Sequence, residues 1–213
     1  MMATTRIKRA GQFVRHLDRY LLRQAFGFDI WHVNRLSDRP YARAVISYLN
    51  ALPADHRGSV VEIGCGLGDI IRRLRFRHRL GLDADRAVLR AGRLLASTRL
   101  RTGLTFGEFV FPRDRLTGRF DAIIMVNWPH LFDADTVRSW ITDCLREHLT
   151  PDGILIIDTV ADPAYRFNHA IAAIVPAGRS FTTLGDFARQ RQLWAVGGWD
   201  ATLTYNAETH EPL

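Results

Sequence analysis

Lysine is almost missing from this chain. Of its 29 basic residues only Lys8 is a lysine, and the rest are arginine. Against 22 acidic residues they leave a net charge of +7, a balance that would suit a nucleic-acid partner. A bias this complete is more simply genome composition than a binding signature, and nucleic acid is not the expected partner. The densest run, Arg72-Arg73-Leu74-Arg75-Phe76-Arg77, falls where a helix is expected to end, and a solvated helix end carries cations well. Cysteine is scarce too: Cys65 and Cys144 are too few for a disulfide framework or a zinc site, so no metal and a reducing, cytoplasmic location are expected. No apolar run reaches the length of a membrane span, and Met1 to Ala10 has charge but no apolar signal core. Internal repeats and low-complexity tracts are lacking as well. What is present, 213 residues that are 47% hydrophobic and 24% charged, suffices for one globular domain with a full core.

The most informative stretch is Val60-Val61-Glu62-Ile63-Gly64-Cys65-Gly66-Leu67-Gly68-Asp69. An apolar strand runs into a turn with glycine at every second position, which lets backbone N–H groups approach a ligand where a Cβ would clash. The dinucleotide fingerprint is Gly-x-Gly-x-x-Gly; here the turn is one residue tighter and Glu62 precedes it. A carboxylate there repels pyrophosphate and suits a cationic ligand. Cys65 reads as a small residue tolerated in the loop.

Strands and helices alternate from Ser59 onward. The pattern predicts a strand over 59–63, a helix over about 67–77, a strand at Leu80 to Leu82 ending in Asp83, and a helix over about 85–97. A short strand at Leu104 to Phe106, closed by Gly107-Glu108, is followed by the apolar run Phe120 to Val126, a strand buried on both faces. Asp133 or Asp135 can cap the next helix, and Thr150-Pro151-Asp152-Gly153 is a turn before a strand over Ile154 to Ile157. A helix near 163–174 precedes two candidate strands, Gln192 to Val196 and Thr202 to Tyr205, paired as an antiparallel hairpin through Gly197-Gly198. Residues 5–50 read as helical around an aromatic-rich loop, Phe26 to His32. The expected fold is α/β: a doubly wound, mostly parallel seven-stranded sheet with the last strand antiparallel and an N-terminal helical segment.

Taken together over about residues 58 to 208, these motifs resemble the class I S-adenosylmethionine-dependent methyltransferases. Glu62-Ile63-Gly64-Cys65-Gly66-Leu67-Gly68 is similar to that family's first motif. The resemblance implies that Glu62, Gly64, Cys65, Gly66 and Gly68 cradle the methionine portion, with Glu62 near its cationic groups. Gly81-Leu82-Asp83 resembles the end of the second strand, where Asp83 would accept from both ribose hydroxyls and Ala84 would lie beside the adenine. Thr105-Phe106-Gly107-Glu108 resembles the third motif and gives Glu108 a place at the adenine edge, although Asp is usual there. Phe120 to Asn127 resembles the fourth motif, which adds Asn127 to the cofactor contacts, and Leu145 to Ile157 the approach to the fifth strand. The implied cofactor is S-adenosylmethionine, with S-adenosylhomocysteine as product.

The implied catalytic end is Asn127-Trp128-Pro129-His130, which only half resembles the Asn-Pro-Pro-Tyr motif of enzymes that methylate planar amino groups. Methyl transfer needs alignment first and a base only where the nucleophile arrives protonated. His130, with Asn127, is the candidate for that role; the alternative for His130 is a hydrogen bond at a helix start. Trp31, His32, Trp128, Tyr165, Arg166 and His169 are candidates for substrate contact, with packing the simpler reading for Trp31, and Tyr165 and His169 on one helix face. The implied organisation is a helical lid over 1–55 and a cofactor-binding domain over 56–213. The leading functional expectation is methyl transfer to a small metabolite, in biosynthesis. A second keeps the fold and changes the chemistry to cyclisation or elimination on an amino-acid-like or acidic substrate, with a partner subunit completing the pocket. A third is RNA methylation.

Overall fold

The computed structural model describes residues 19–97, 102–160, 162, 167, 169–187 and 191–198. Seven strands form one sheet: β1 (Ser59–Ile63), β2 (His78–Asp83), β3 (Leu104–Glu108), β4 (Phe120–Met125), β5 (Leu149–Val160), β6 (Phe181–Phe187) and β7 (Arg191–Gly197). Their order is β3-β2-β1-β4-β5-β7-β6, with β1 to β5 parallel and β7 antiparallel to both neighbours. The strand order reverses between β1 and β4, and such a switch point opens a crevice at the carboxyl ends of the strands.

Alternation along the central strands divides the core. Val61, Ile63, Ile123, Met125, Leu155 and Ile157 pack on one face with Val137, Trp140 and Ile141 of α4 (Ala134–Asp143). Val60, Ala122, Ile124, Ile154 and Ile156 pack on the other with Tyr41, Val45 and Leu49 of α2 (Pro40–Ala51). Each of the valine, leucine, isoleucine and methionine side chains among them contributes about 1.5–3 kcal/mol by leaving water. Pro40 opens α2, as its fixed φ favours, and Asp133 caps α4 by accepting from Thr136 N at 2.8 Å. α1 covers residues 19–26, α3 is Arg86–Ser97 and α5 is the single turn Ile171–Ile174. None of the described helices is long and apolar enough to cross a membrane.

Four expectations are corrected. The helix expected over 67–77 is a run of turns with one 3₁₀ turn, Ile71–Arg73. The Ile71 N–H that would enter a helical ladder is taken instead by the Glu62 carboxyl at 2.9 Å, and glycines favour turns over helix. The Arg72–Arg77 run therefore ends no helix, and Arg72 is largely buried against Asp69 and the carbonyls of Gly68 and Leu95. The turn at 150–153 lies inside β5: Leu149 pairs with Phe120 and Ile154 with Ala122, so the intervening residues loop out. The terminal hairpin joins β7 to β6, a strand the sequence reading missed because Thr182, Thr183, Gly185 and Asp186 dilute its apolar pattern. The Thr202 to Tyr205 candidate lies outside the described residues, as does most of the helix expected near 163–174.

Candidate functional site

The glycine loop leaves β1 with Gly64, Gly66 and Gly68 all left-handed, at φ 73°, 54° and 74°. A side chain there would cost about 1–2 kcal/mol from backbone strain alone. Space is limiting as well. A Cβ on Gly64 would run into the Trp128 indole, one on Gly66 would lie 2.7 Å from His32 Nδ1, and one on Gly68 would lie 2.9 Å from the Phe106 ring. The room that sequence reasoning reserved for a ligand is thus shared with side chains from three other elements. Cys65 is buried in the loop, donates its N–H to Leu82 O at 2.9 Å, and has its thiol pushed well above the ordinary range by burial. A thiol of that kind is unreactive.

Glu62 lies beneath the loop. Strand alternation puts it on the face of Val60, toward α2, and it is 3% exposed. Burial drives its carboxyl up to about 8, against the opposing pull of the Ile71 N–H, so it is largely protonated at neutral pH. In this position it braces the turn after the loop.

Asp83 ends β2 and joins it to the loop: Oδ2 accepts from Gly66 N at 2.7 Å and Oδ1 from Asp85 N at 3.0 Å. A carboxylate has about four acceptor sites, so two remain for a pair of adjacent hydroxyls. Ala84 beside it is exposed. Glu108 stands opposite Asp83 in the β2–β3 register, but its carboxylate is 40% exposed and bonded to Arg86 Nε at 2.7 Å.

The other wall begins where β4 ends. Asn127 is the only non-glycine residue with positive φ among those described, at 74°, and its N–H donates to Asp158 Oδ1 at 2.8 Å. Trp128 Nε1 donates to Ile63 O at 2.7 Å, and its ring meets Phe111 and Phe132 edge-on at 4.8 and 6.0 Å between centroids. His130, in the 3₁₀ turn Pro129–Leu131, is buried; burial, then Arg191 and His169, lower its pKa to about 4. It is a neutral imidazole at pH 7, and a weak base. His169 is brought near it and donates through Nε2 to Phe132 O at 2.6 Å, from non-helical backbone rather than the expected helix face.

His32 reaches the loop from the N-terminal side, whereas its neighbour Trp31 is 67% exposed, which overturns the packing reading for Trp31. Tyr165 and Arg166 lie outside the described residues. Sequence reasoning missed Asp69, Asp158, Arg191 and Phe111. A signal existed for two of them: Asp69 directly follows the last loop glycine, and Asp158 closes the apolar run Ile154 to Ile157.

Comparison with solved structures places this architecture. The N-methyltransferase NodS from Bradyrhizobium japonicum WM9, in complex with S-adenosyl-L-homocysteine, superposes with a TM-score of 0.63 at 15% identity over 84% of this chain and 97% of that one. Magnesium protoporphyrin IX methyltransferase (ChlM) from Synechocystis PCC 6803, with bound SAH, gives 0.57 at 19% identity over 76% and 84%. The DhpI–SAH complex gives 0.55 at 19% identity over 75% and 85%. No family model matches the sequence, and no curated protein matches it either. The chain has the class I methyltransferase fold.

Proposed function

We propose that the protein is an S-adenosylmethionine-dependent methyltransferase acting on a small molecule. The observation that carries this reading is Asp83, a buried carboxylate bonded to the left-handed Gly66 at the switch point of this fold. Its two remaining acceptor sites suit the ribose hydroxyls of such a cofactor, and the solved neighbours NodS, ChlM and DhpI hold S-adenosylhomocysteine. When bound, the cofactor supplies a methyl group on a sulfonium, an electrophile that needs no metal. The chain's own residues then bind, orient and dry the reactants. Gly64, Cys65, Gly66 and Gly68 present the loop, Asp83 with Ala84 and Glu108 holds the nucleoside end, and Asn127 closes the site from β4. Trp128, His32 and His169 exclude water on the acceptor side. A His130 with its pKa near 4 acts as a hydrogen-bond acceptor rather than a strong base, which suits an acceptor atom that is already unprotonated.

The division into a lid over 1–55 and a domain over 56–213 is part of the same proposal. It is supported by His32 at Gly66 and by Arg19 and Arg39, which reach Asp69 at the end of the loop. We place the protein in the cytoplasm, in a biosynthetic role. The test is transfer of label from methyl-tritiated S-adenosylmethionine to a panel of small amines, phenols and carboxylates. Label in a small product supports the reading. Label retained on RNA, or cofactor binding with no transfer to any acceptor, turns it toward RNA methylation or toward non-methyl chemistry with a partner subunit.

A further inference from the structure

Four strands are joined by a contact path that starts at Arg191 and Asp158, two residues with no part in the cofactor contacts proposed above, and ends at the glycine loop. Arg191, the first residue of β7, sets its guanidinium against the Asp158 carboxylate of β5 and stacks 5.0 Å over the Tyr41 ring. Asp158 is 1% exposed, and its other oxygen accepts the Asn127 N–H. Asn127 takes the left-handed backbone, which turns the chain so that Trp128 bonds Ile63 O and fills the space at Gly64. Arginine on β7 is thereby connected, through β5 and β4, to the glycine loop after β1.

We propose that Asp158 and Arg191 are positioning residues of this site: the pair holds Asn127 left-handed and so fixes Trp128 as the wall between the glycine loop and the acceptor pocket. This rests on the functional reading above. Holding strands together does not require such a pair, because well-packed apolar side chains of the same volume do so at least as well. What the pair adds is a charged acceptor at one fixed point. An arginine against the carboxylate favours its charged form, and a hydrogen bond to a charged acceptor is roughly twice as strong as a neutral one. That bond offsets the cost of a left-handed non-glycine residue.

Fluorine NMR of protein labelled with 5-fluorotryptophan tests the proposal, the Trp128 resonance being the one missing from Trp128→Phe. In folded Arg191→Met the Trp128 resonance should shift or broaden while that of exposed Trp31 stays in place, and the Kd for S-adenosylhomocysteine should weaken about tenfold. Arg191→Lys should restore both most of the way, and Asp158→Asn, which keeps an acceptor oxygen, should fall between. A Trp128 resonance in Arg191→Met that superimposes on the parent's overturns the proposal, whatever happens to the Kd. If Arg191→Met does not fold, Asp158→Asn decides on the same criterion. Should the parent bind no S-adenosylhomocysteine, the functional reading fails, while the resonance still decides the positioning claim.

Discussion

Two buried aspartates, Asp69 at the end of the glycine loop and Asp158 on β5, are held in opposite ways. Asp69, at the end of the loop, gathers Arg19 from α1 at 2.6 Å, Arg39 from just before α2, and Arg72 and Arg73 from the following turn at 3.2 and 3.3 Å. Arg19 contacts both carboxylate oxygens, a geometry that fixes direction as well as charge. Among the described residues Asp158 is met by one arginine and one backbone N–H. The first arrangement is redundant and ties three separate segments to one point, as a fastening should. The second has no spare member among the described residues, as an orienting device should. Charge number distinguishes a knot from a pointer.

The largest expected effect tests the knot. Asp69→Ala leaves four arginines facing one another, three of them with side chains less than a quarter exposed, and should lower unfolding free energy in urea by about 3–5 kcal/mol. Burial alone would raise the Asp69 carboxyl, but Arg19, then Arg39 and Arg72, outweigh it and hold it well below the ordinary 3.8. Its contribution is therefore complete above that pH and is lost as pH falls further, so parent and variant should converge in acid. A loss under 1 kcal/mol at pH 7 would make the cluster decorative.

Gly66→Ala separates the loop's own conformation from the lid pressing on it. We expect a loss of about 2–3 kcal/mol, from a left-handed alanine and from contact with His32. In a His32→Ala background about 1 kcal/mol of that loss should disappear; full additivity would mean that His32 does not press on the loop.

Glu62 is the third case, a buried carboxyl with no arginine bonded to it among the described residues. Because its pKa rises to about 8 on folding, the folded state holds the proton more tightly than the unfolded chain, and stability declines as pH climbs from about 4.5 to 8. Glu62→Gln should therefore match the parent at pH 4 and exceed it at pH 9 by about 3–5 kcal/mol in parallel urea titrations. A constant difference at the two pH values would contradict the shift. The smallest effect belongs to Arg73→Ala. Its side chain is 38% exposed and three other arginines remain, so about 0.5 kcal/mol is expected. A loss as large as that of Asp69→Ala would show that the cluster is a chain of dependent contacts rather than a redundant one.

The glycine-loop side of the molecule was largely readable in the sequence, because glycine spacing, strand period and the position of Asp83 at the end of β2 are local features. Gly64, Gly66 and Gly68 announce a left-handed turn whatever surrounds them. Nothing local could show that Trp128 and His32 occupy the space at two of those glycines, because their partners lie 64 and 34 residues away in the chain. Glu62 was read from its neighbours as facing a ligand, yet strand alternation turns it toward α2. The side beyond the end of β4 was harder. Asp158 looks like an ordinary strand end until Arg191 arrives from β7, and β6 is an edge strand whose polar residues mask its pairing. The helix expected after the loop failed because a side chain, Glu62, took the N–H a helix would use.

Asp83 and the glycine loop are proposed to form an S-adenosylmethionine site. Isothermal titration of the folded protein with S-adenosylhomocysteine tests it most directly. Saturable one-to-one binding is expected, weakened about a hundredfold in Asp83→Ala as two charge-assisted hydrogen bonds are lost. Binding unchanged in a folded Asp83→Ala variant, or no binding by the folded parent, would contradict it.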